Sequence, residues 1–159
     1  MKIVHQLSIA FLLTASVAMA QGTRGEAKVV VAGKSVAVEY GRPILAGRDM
    51  LGQAKAGTPW RMGSGSPTSL KTDADLMFGS VAVPKGAYIL TAVKDDKGGW
   101  SMIASKAEGG AKVAEIPLKS EMVKEPVDTF TIGLTGKGDA GDFSMSWGTA
   151  KMSASFTGK

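Results

Sequence analysis

A two-residue alternation of apolar and polar side chains limits what this chain can fold into more than any other feature. In SVAVEY, Val36, Val38 and Tyr40 alternate with Ala37 and Glu39. In DTFTIGL, Phe130, Ile132 and Leu134 alternate with Thr129, Thr131 and Gly133. DFSMSWG sets Phe143, Met145 and Trp147 against Ser144 and Ser146, and KMSASF sets Met152, Ala154 and Phe156 against Ser153 and Ser155. Successive side chains of an extended strand point to opposite faces, so this pattern describes a sheet with one buried face and one wet face. Antiparallel sheets carry it, whereas parallel sheets covered on both sides do not. AYILTAV and WSMIA are more apolar along their length and read as central strands, with the turn cluster Lys94 to Gly99 (KDDKGG) between them. Helix signals are nearly absent: a short turn over Ser120 to Lys124, ended by Pro126, is the sole candidate. The pattern predicts one all-β domain, an antiparallel β-sandwich or a barrel-like relative, with about eight to ten strands.

The N-terminus reads as an address. Lys2 precedes an apolar run, LSIAFLLTASVA, and Ala18-Met19-Ala20 supplies small residues at the −3 and −1 positions. That is the form of a secretory signal peptide over 1–20, cleaved after Ala20, with a domain over 21–159. The run is shorter than the roughly 20 apolar residues a membrane span needs. The expected destination is the periplasm or the exterior, with no transmembrane segment in the mature chain.

Processing also changes the chemistry available. The only histidine, His5, leaves with the signal, and the chain has no cysteine. A Ser-His-Asp or Cys-His nucleophile cannot be assembled from what remains. Zinc, copper, haem or iron–sulfur ligation through imidazole or thiolate is excluded too. No cofactor, metal or catalytic residue is expected. Without Lys2 the 19 basic residues become 18 against 14 acidic ones, so the net charge falls from +5 to +4. The basic residues are scattered singly, often near an acid, without the stripe and interleaved aromatics of a nucleic-acid binder. No nucleic-acid partner is expected, while weak attraction to acidic ligands or polysaccharide is open. Asp73 and Asp75, two apart, read as turn chemistry, as a carboxylate pair or as a pair of calcium ligands. The Gly63 to Pro67 stretch (GSGSP) has no helix behind it to make a phosphate loop.

Tyr40-Gly41-Arg42-Pro43, then Gly47-Arg48, then Pro59-Trp60-Arg61-Met62-Gly63-Ser64 with Thr68 after it, resembles the opening of a bacterial family, the domain of unknown function 2911. VPKGAY (Val83 to Tyr88) is similar to that family's Pro-x-Gly-x-Tyr turn, and EPVDTFTIGL (Glu125 to Leu134) to its Glu-Pro-Val strand. Trp147 followed by a last strand resembles its C-terminal end. The resemblance runs from about Lys34 to Phe156 and implies an exported, mostly β domain with no known reaction. Where the family shows Gly-Ala-Asn, this chain has Gly63, Ser64 and Gly65; if that asparagine binds a ligand or ties a loop, either Ser64 or Ser66 substitutes for it or the role is lost here.

The irregular segment Tyr40 to Ser64 carries Arg42, Arg48 and Arg61. One reading is that their planar guanidinium forks tie a long loop to the sheet through its carbonyls. The other is that Arg42, Arg48 and Arg61 converge on an anion, with Trp60 as a stacking wall and Ser64 beside it. Three functions remain open. The first is a non-catalytic domain binding an anionic small molecule or a carbohydrate. The second is a glycan hydrolase built on two carboxylates, and the third is a structural subunit of an envelope assembly with an exposed sheet edge.

Overall fold

The structure, a computed structural model, describes residues 23–159; the signal-peptide reading falls on residues outside that range. Nine strands follow one another without a helix among the described residues: β1 (Arg24–Val31), β2 (Lys34–Gly41), β3 (Ser69–Thr72), β4 (Leu76–Phe78), β5 (Val81–Val83), β6 (Gly86–Lys94), β7 (Trp100–Lys106), β8 (Lys112–Lys137) and β9 (Ala140–Gly158). All neighbours are antiparallel, in the order β1-β2-β3-β6-β7-β8-β9-β4-β5. The sheet is not closed into a barrel. It doubles back instead: β1 and β2 lie against β8, and β1 also against β9, without pairing with them. The space between the two layers holds the core.

The alternation places that core as the sequence indicates. Val36, Val38 and Tyr40 point inward from β2, Phe130 and Ile132 from β8, and Phe143, Met145, Trp147, Met152 and Phe156 from β9. β6 and β7 are the fourth and fifth strands of the nine, hence central. They too bury only alternate residues, such as Leu90, Ala92, Met102 and Ala104, because the outer face of the sheet is uncovered.

The expected helical turn over Ser120 to Lys124 is a correction: these residues belong to β8, and Ser120, Glu121 and Met122 pair with Met152, Lys151 and Ala150 of β9. Their polar character comes from lying where β8 is exposed on both sides, not from one wet helix face. Pro126 marks a register shift rather than a stop. Between Met122 and Val127 the chain advances five residues while β9 moves only from Ala150 to Gly148, and the register shifts again before Thr131. Proline has no N–H to give a ladder and is tolerated at such bulges.

That irregular stretch of β8 receives the segment after β2. Phe130 N donates to the Pro43 carbonyl at 2.9 Å and Leu45 N to the Asp128 carbonyl at 3.0 Å, with Ile44 bridged to Thr129. Trp60 then pairs with the side of β6, its N–H on Ala92 O at 2.7 Å and its carbonyl accepting from Ala92 N at 2.8 Å. The long loop is therefore stitched at both ends to the strands beneath it.

Candidate functional site

The three arginines have different neighbours. Arg42 extends β2 by one rung, its N–H on the Thr23 carbonyl. Its half-buried guanidinium reaches across the layers to the Phe130 carbonyl (3.4 Å) and the Thr131 hydroxyl (3.3 Å). Arg61 is exposed and donates to the Gly65 carbonyl four residues on, at 2.6 Å. Arg48 is exposed and bonds the Leu45 carbonyl at 3.2 Å. Each guanidinium thus meets at least one carbonyl of the irregular segment or of the strand under it.

The stretch around Arg61 is docked by close backbone approach. A Cβ added to Gly41 would sit 1.8 Å from the Ser64 carbonyl oxygen, and one on Gly63 would sit 2.7 Å from the Gly41 oxygen. Met62 beside them is fully buried at a φ of +54°, a left-handed conformation that costs a residue with a Cβ about 1–2 kcal/mol. Its carbonyl accepts from the buried Thr68 hydroxyl at 2.7 Å. Burial of the methionine and this bond hold the strained turn in place. Ser64 contributes its main chain to the contact with Gly41.

Trp60 stands in an aromatic cluster. Its indole stacks on Trp147 with centroids 5.9 Å apart and planes 12° apart, and meets Phe130 (5.3 Å) and Trp100 (6.2 Å) edge-on. Such pairs contribute about 0.5–1.5 kcal/mol each beyond area burial. Trp147 in turn donates from its ring nitrogen to the Asp128 carbonyl at 3.1 Å.

A cleft of about 360 Å³ opens where the first half of the Arg-rich loop lies beside the irregular part of β8 and the middle of β9. Leu45, Arg48, Asp49 and Met50 form the loop wall, and Asp128 and Trp147 stand on the strand side. The cleft is lined by Arg48 and not by Arg42, Arg61, Trp60 or Ser64, so the five candidate residues are distributed over at least two places. Its indole is that of Trp147, on which Trp60 stacks. Asp49 is partly committed, accepting from Gly52 N at 2.8 Å. One guanidinium and two carboxylates give the cleft both donors and acceptors, with no excess of positive charge. Sequence reading missed the strand-side residues because Trp147 alternates as a core residue and Pro126 resembles a stop; the available signal was Pro126 itself, which cannot sit in a regular central ladder.

A larger concavity, about 550 Å³, lies on the open outer face of β1, β2, β3 and β6. It is a trough in a solvated sheet, floored by Ala37, Ser69 and Ala87 and flanked by Glu26, Lys28, Glu39 and Lys71. Asp73 and Asp75 lie in the turn between β3 and β4, where Asp75 accepts from Lys85 N at 2.8 Å. No group of three or more carboxylate, histidine or cysteine side chains is placed to hold a metal ion among the described residues. No helix among them is long and apolar enough to cross a membrane.

A family model described as a protein of unknown function (DUF2911) matches residues 23–156. No curated protein and no solved structure matches the chain.

Proposed function

We propose, for a chain that belongs to the DUF2911 family of proteins of unknown function, that it is an exported, non-catalytic binding domain whose ligand is a hydroxyl-rich carbohydrate held in the cleft beside Arg48. The observation that carries this reading is the composition of the cleft. Its lining brings Arg48, Asp49, Asp128 and Thr149 together with the apolar Leu45, Leu51 and Trp147. A sugar has the same division, with hydroxyl groups at its rim and C–H faces that pack on apolar surface. A volume of about 360 Å³ lies within the range of small-molecule sites, about 300–1,000 Å³. A strongly anionic ligand fits less well, because Asp49 and Asp128 oppose the single positive charge of Arg48.

Calorimetric titration of the mature protein with neutral and with uronic-acid oligosaccharides tests this. Binding of neutral glycans, weakly dependent on salt, supports it; binding of acidic ones alone, falling steeply with salt, would return the site to the anion reading. Export carries its own test: N-terminal sequencing of protein from the native host should begin at Gln21, and an intact Met1 would contradict it.

A second reading uses the same cleft. Asp49 on the loop and Asp128 on β8 stand on different walls, and a carboxylate pair suffices for glycoside hydrolysis. Release of reducing ends from a bound glycan, abolished in both Asp49→Asn and Asp128→Asn, would favour catalysis over binding.

A further inference from the structure

β1 is one end of the sheet order, and its outer edge takes part in no strand pairing among the described residues. The β1–β2 hairpin fixes which of its groups are free. The two-residue turn Ala32-Gly33, with φ of +49° and +74°, closes on the Val31–Lys34 pair. Such a turn makes its flanking residues a hydrogen-bonded pair. Bonded and non-bonded pairs then alternate along an antiparallel ladder. Odd-numbered residues of β1 therefore bond β2, as the bond from Arg42 N to the Thr23 carbonyl continues. The N–H and C=O groups of Arg24, Glu26, Lys28 and Val30 face outward from the edge. The same four residues point their side chains to the wet face, and Val30 is 59% exposed.

Within the hairpin Glu26 stands directly opposite Glu39, an unfavourable like-charge pair. Neither Glu26 nor Lys28 takes part in an ion pair among the described residues.

We propose that β1 pairs antiparallel with β1 of a second copy of this chain, about a two-fold axis midway between the two Ala27 residues, to make one sheet continuous across a dimer. In this register Glu26 faces Lys28 of the partner subunit, Lys28 faces the partner's Glu26, and Arg24 and Val30 face each other in the same way. Four hydrogen-bonded pairs result, all between residues whose main-chain groups are free, and every side chain stays on its own face. The lysine arriving beside Glu26 also relieves its contact with Glu39. The adjacent permitted registers are worse: one sets Glu26 on the partner's Glu26, the other sets Lys28 on the partner's Lys28. A long edge strand without inward charge, proline or bulge is a template for such pairing, and self-complementarity about a two-fold axis is what a closed dimer requires. None of the residues lining the cleft beside Arg48 lies on β1.

Sedimentation equilibrium of the mature protein across a range of concentrations tests the pairing. Wild type should approach twice the monomer mass, and Glu26→Lys and Lys28→Glu should each weaken association at least tenfold. The double variant, with both charges exchanged, should recover it. Amide exchange provides an independent readout: the amides of Glu26, Lys28 and Val30 should slow as protein concentration rises, while that of Ala27, already bonded to β2, should not. A wild type that stays monomeric at millimolar concentration overturns the proposal. Single charge variants that dimerise as wild type does, or concentration-independent exchange at all three amides, overturn it equally.

Discussion

Replacing Gly41 with alanine should unlatch the Arg-rich loop. Gly41 has ordinary backbone angles, so the substitution adds no conformational strain there. What it adds is a methyl group whose ideal position is 1.8 Å from the Ser64 carbonyl oxygen, 2.7 Å from its carbon and 2.8 Å from the Ser64 nitrogen. These are backbone atoms and cannot swing aside as a side-chain tip can. Ordinary contact begins at 3.4 Å, so loop and strand must part by about 1.6 Å, the difference, where packed interiors tolerate little displacement. That displacement reaches Met62, which is fully buried, and its bond from Thr68. Overpacking of this kind costs about 1–3 kcal/mol, and partial exposure of the methionine adds about 1 kcal/mol. We expect a loss near 3 kcal/mol, and a melting temperature lower by roughly 10 °C for a domain of this size. Urea unfolding followed by tryptophan fluorescence measures it, with Gly33→Ala as the control. Gly33 has open space around it and a φ of +74°, so that change costs about 1 kcal/mol from backbone strain alone. A Gly41→Ala variant within 0.5 kcal/mol of wild type, where about that much is the ordinary surface effect, would refute the docking of the loop on β2.

Trp60→Ala should cost about 3 kcal/mol in the same assay, because it empties a place shared with Phe130, Trp100 and Trp147; a near-neutral result would remove Trp60 from the structural core. Arg42→Ala should cost about 1–2 kcal/mol, since its half-buried guanidinium joins the two layers, whereas exposed Arg61, bonded within its own turn, should cost less than about 0.5 kcal/mol; the reverse order would contradict the contacts. Burial, with a smaller contribution from Asp75, raises the Tyr88 phenol above its ordinary value of 10.0. The fold therefore favours the neutral phenol, its stabilisation is complete below about pH 10 and is lost as pH rises through the folded value. Alkaline titration of stability should be flatter in Tyr88→Phe, and an unchanged profile would sink the assignment.

The sheet was legible because it rests on local alternation. Val36, Val38, Phe143 and Trp147 declare a buried face within a few residues of chain, and the Lys94 to Gly99 turn declares itself by composition, with Asp95 accepting from both Lys97 N and Gly99 N. The cleft was only half legible. Its loop wall was visible as an irregular stretch with Arg48 in it. Its strand wall depends on register shifts between β8 and β9, and register is a property of two strands paired, not of either alone. The same limit explains Ser120 to Lys124: a polar run is ambiguous until its partner, here Ala150 to Met152, is known. Nor could sequence sort the three arginines, because the bond of Arg42 spans 88 residues to Phe130 while that of Arg61 spans four.

Of the three arginines, Arg48 lines the cleft between loop and sheet, Arg42 joins the two layers, and Arg61 closes its own turn. Calorimetric titration of the best-binding oligosaccharide into wild type, Arg48→Ala and Arg61→Ala separates these roles. Arg48→Ala should weaken binding at least tenfold, about 1.4 kcal/mol, with an unchanged melting curve, and Arg61→Ala should bind as wild type does. Binding lost in Arg61→Ala and kept in Arg48→Ala would contradict this assignment.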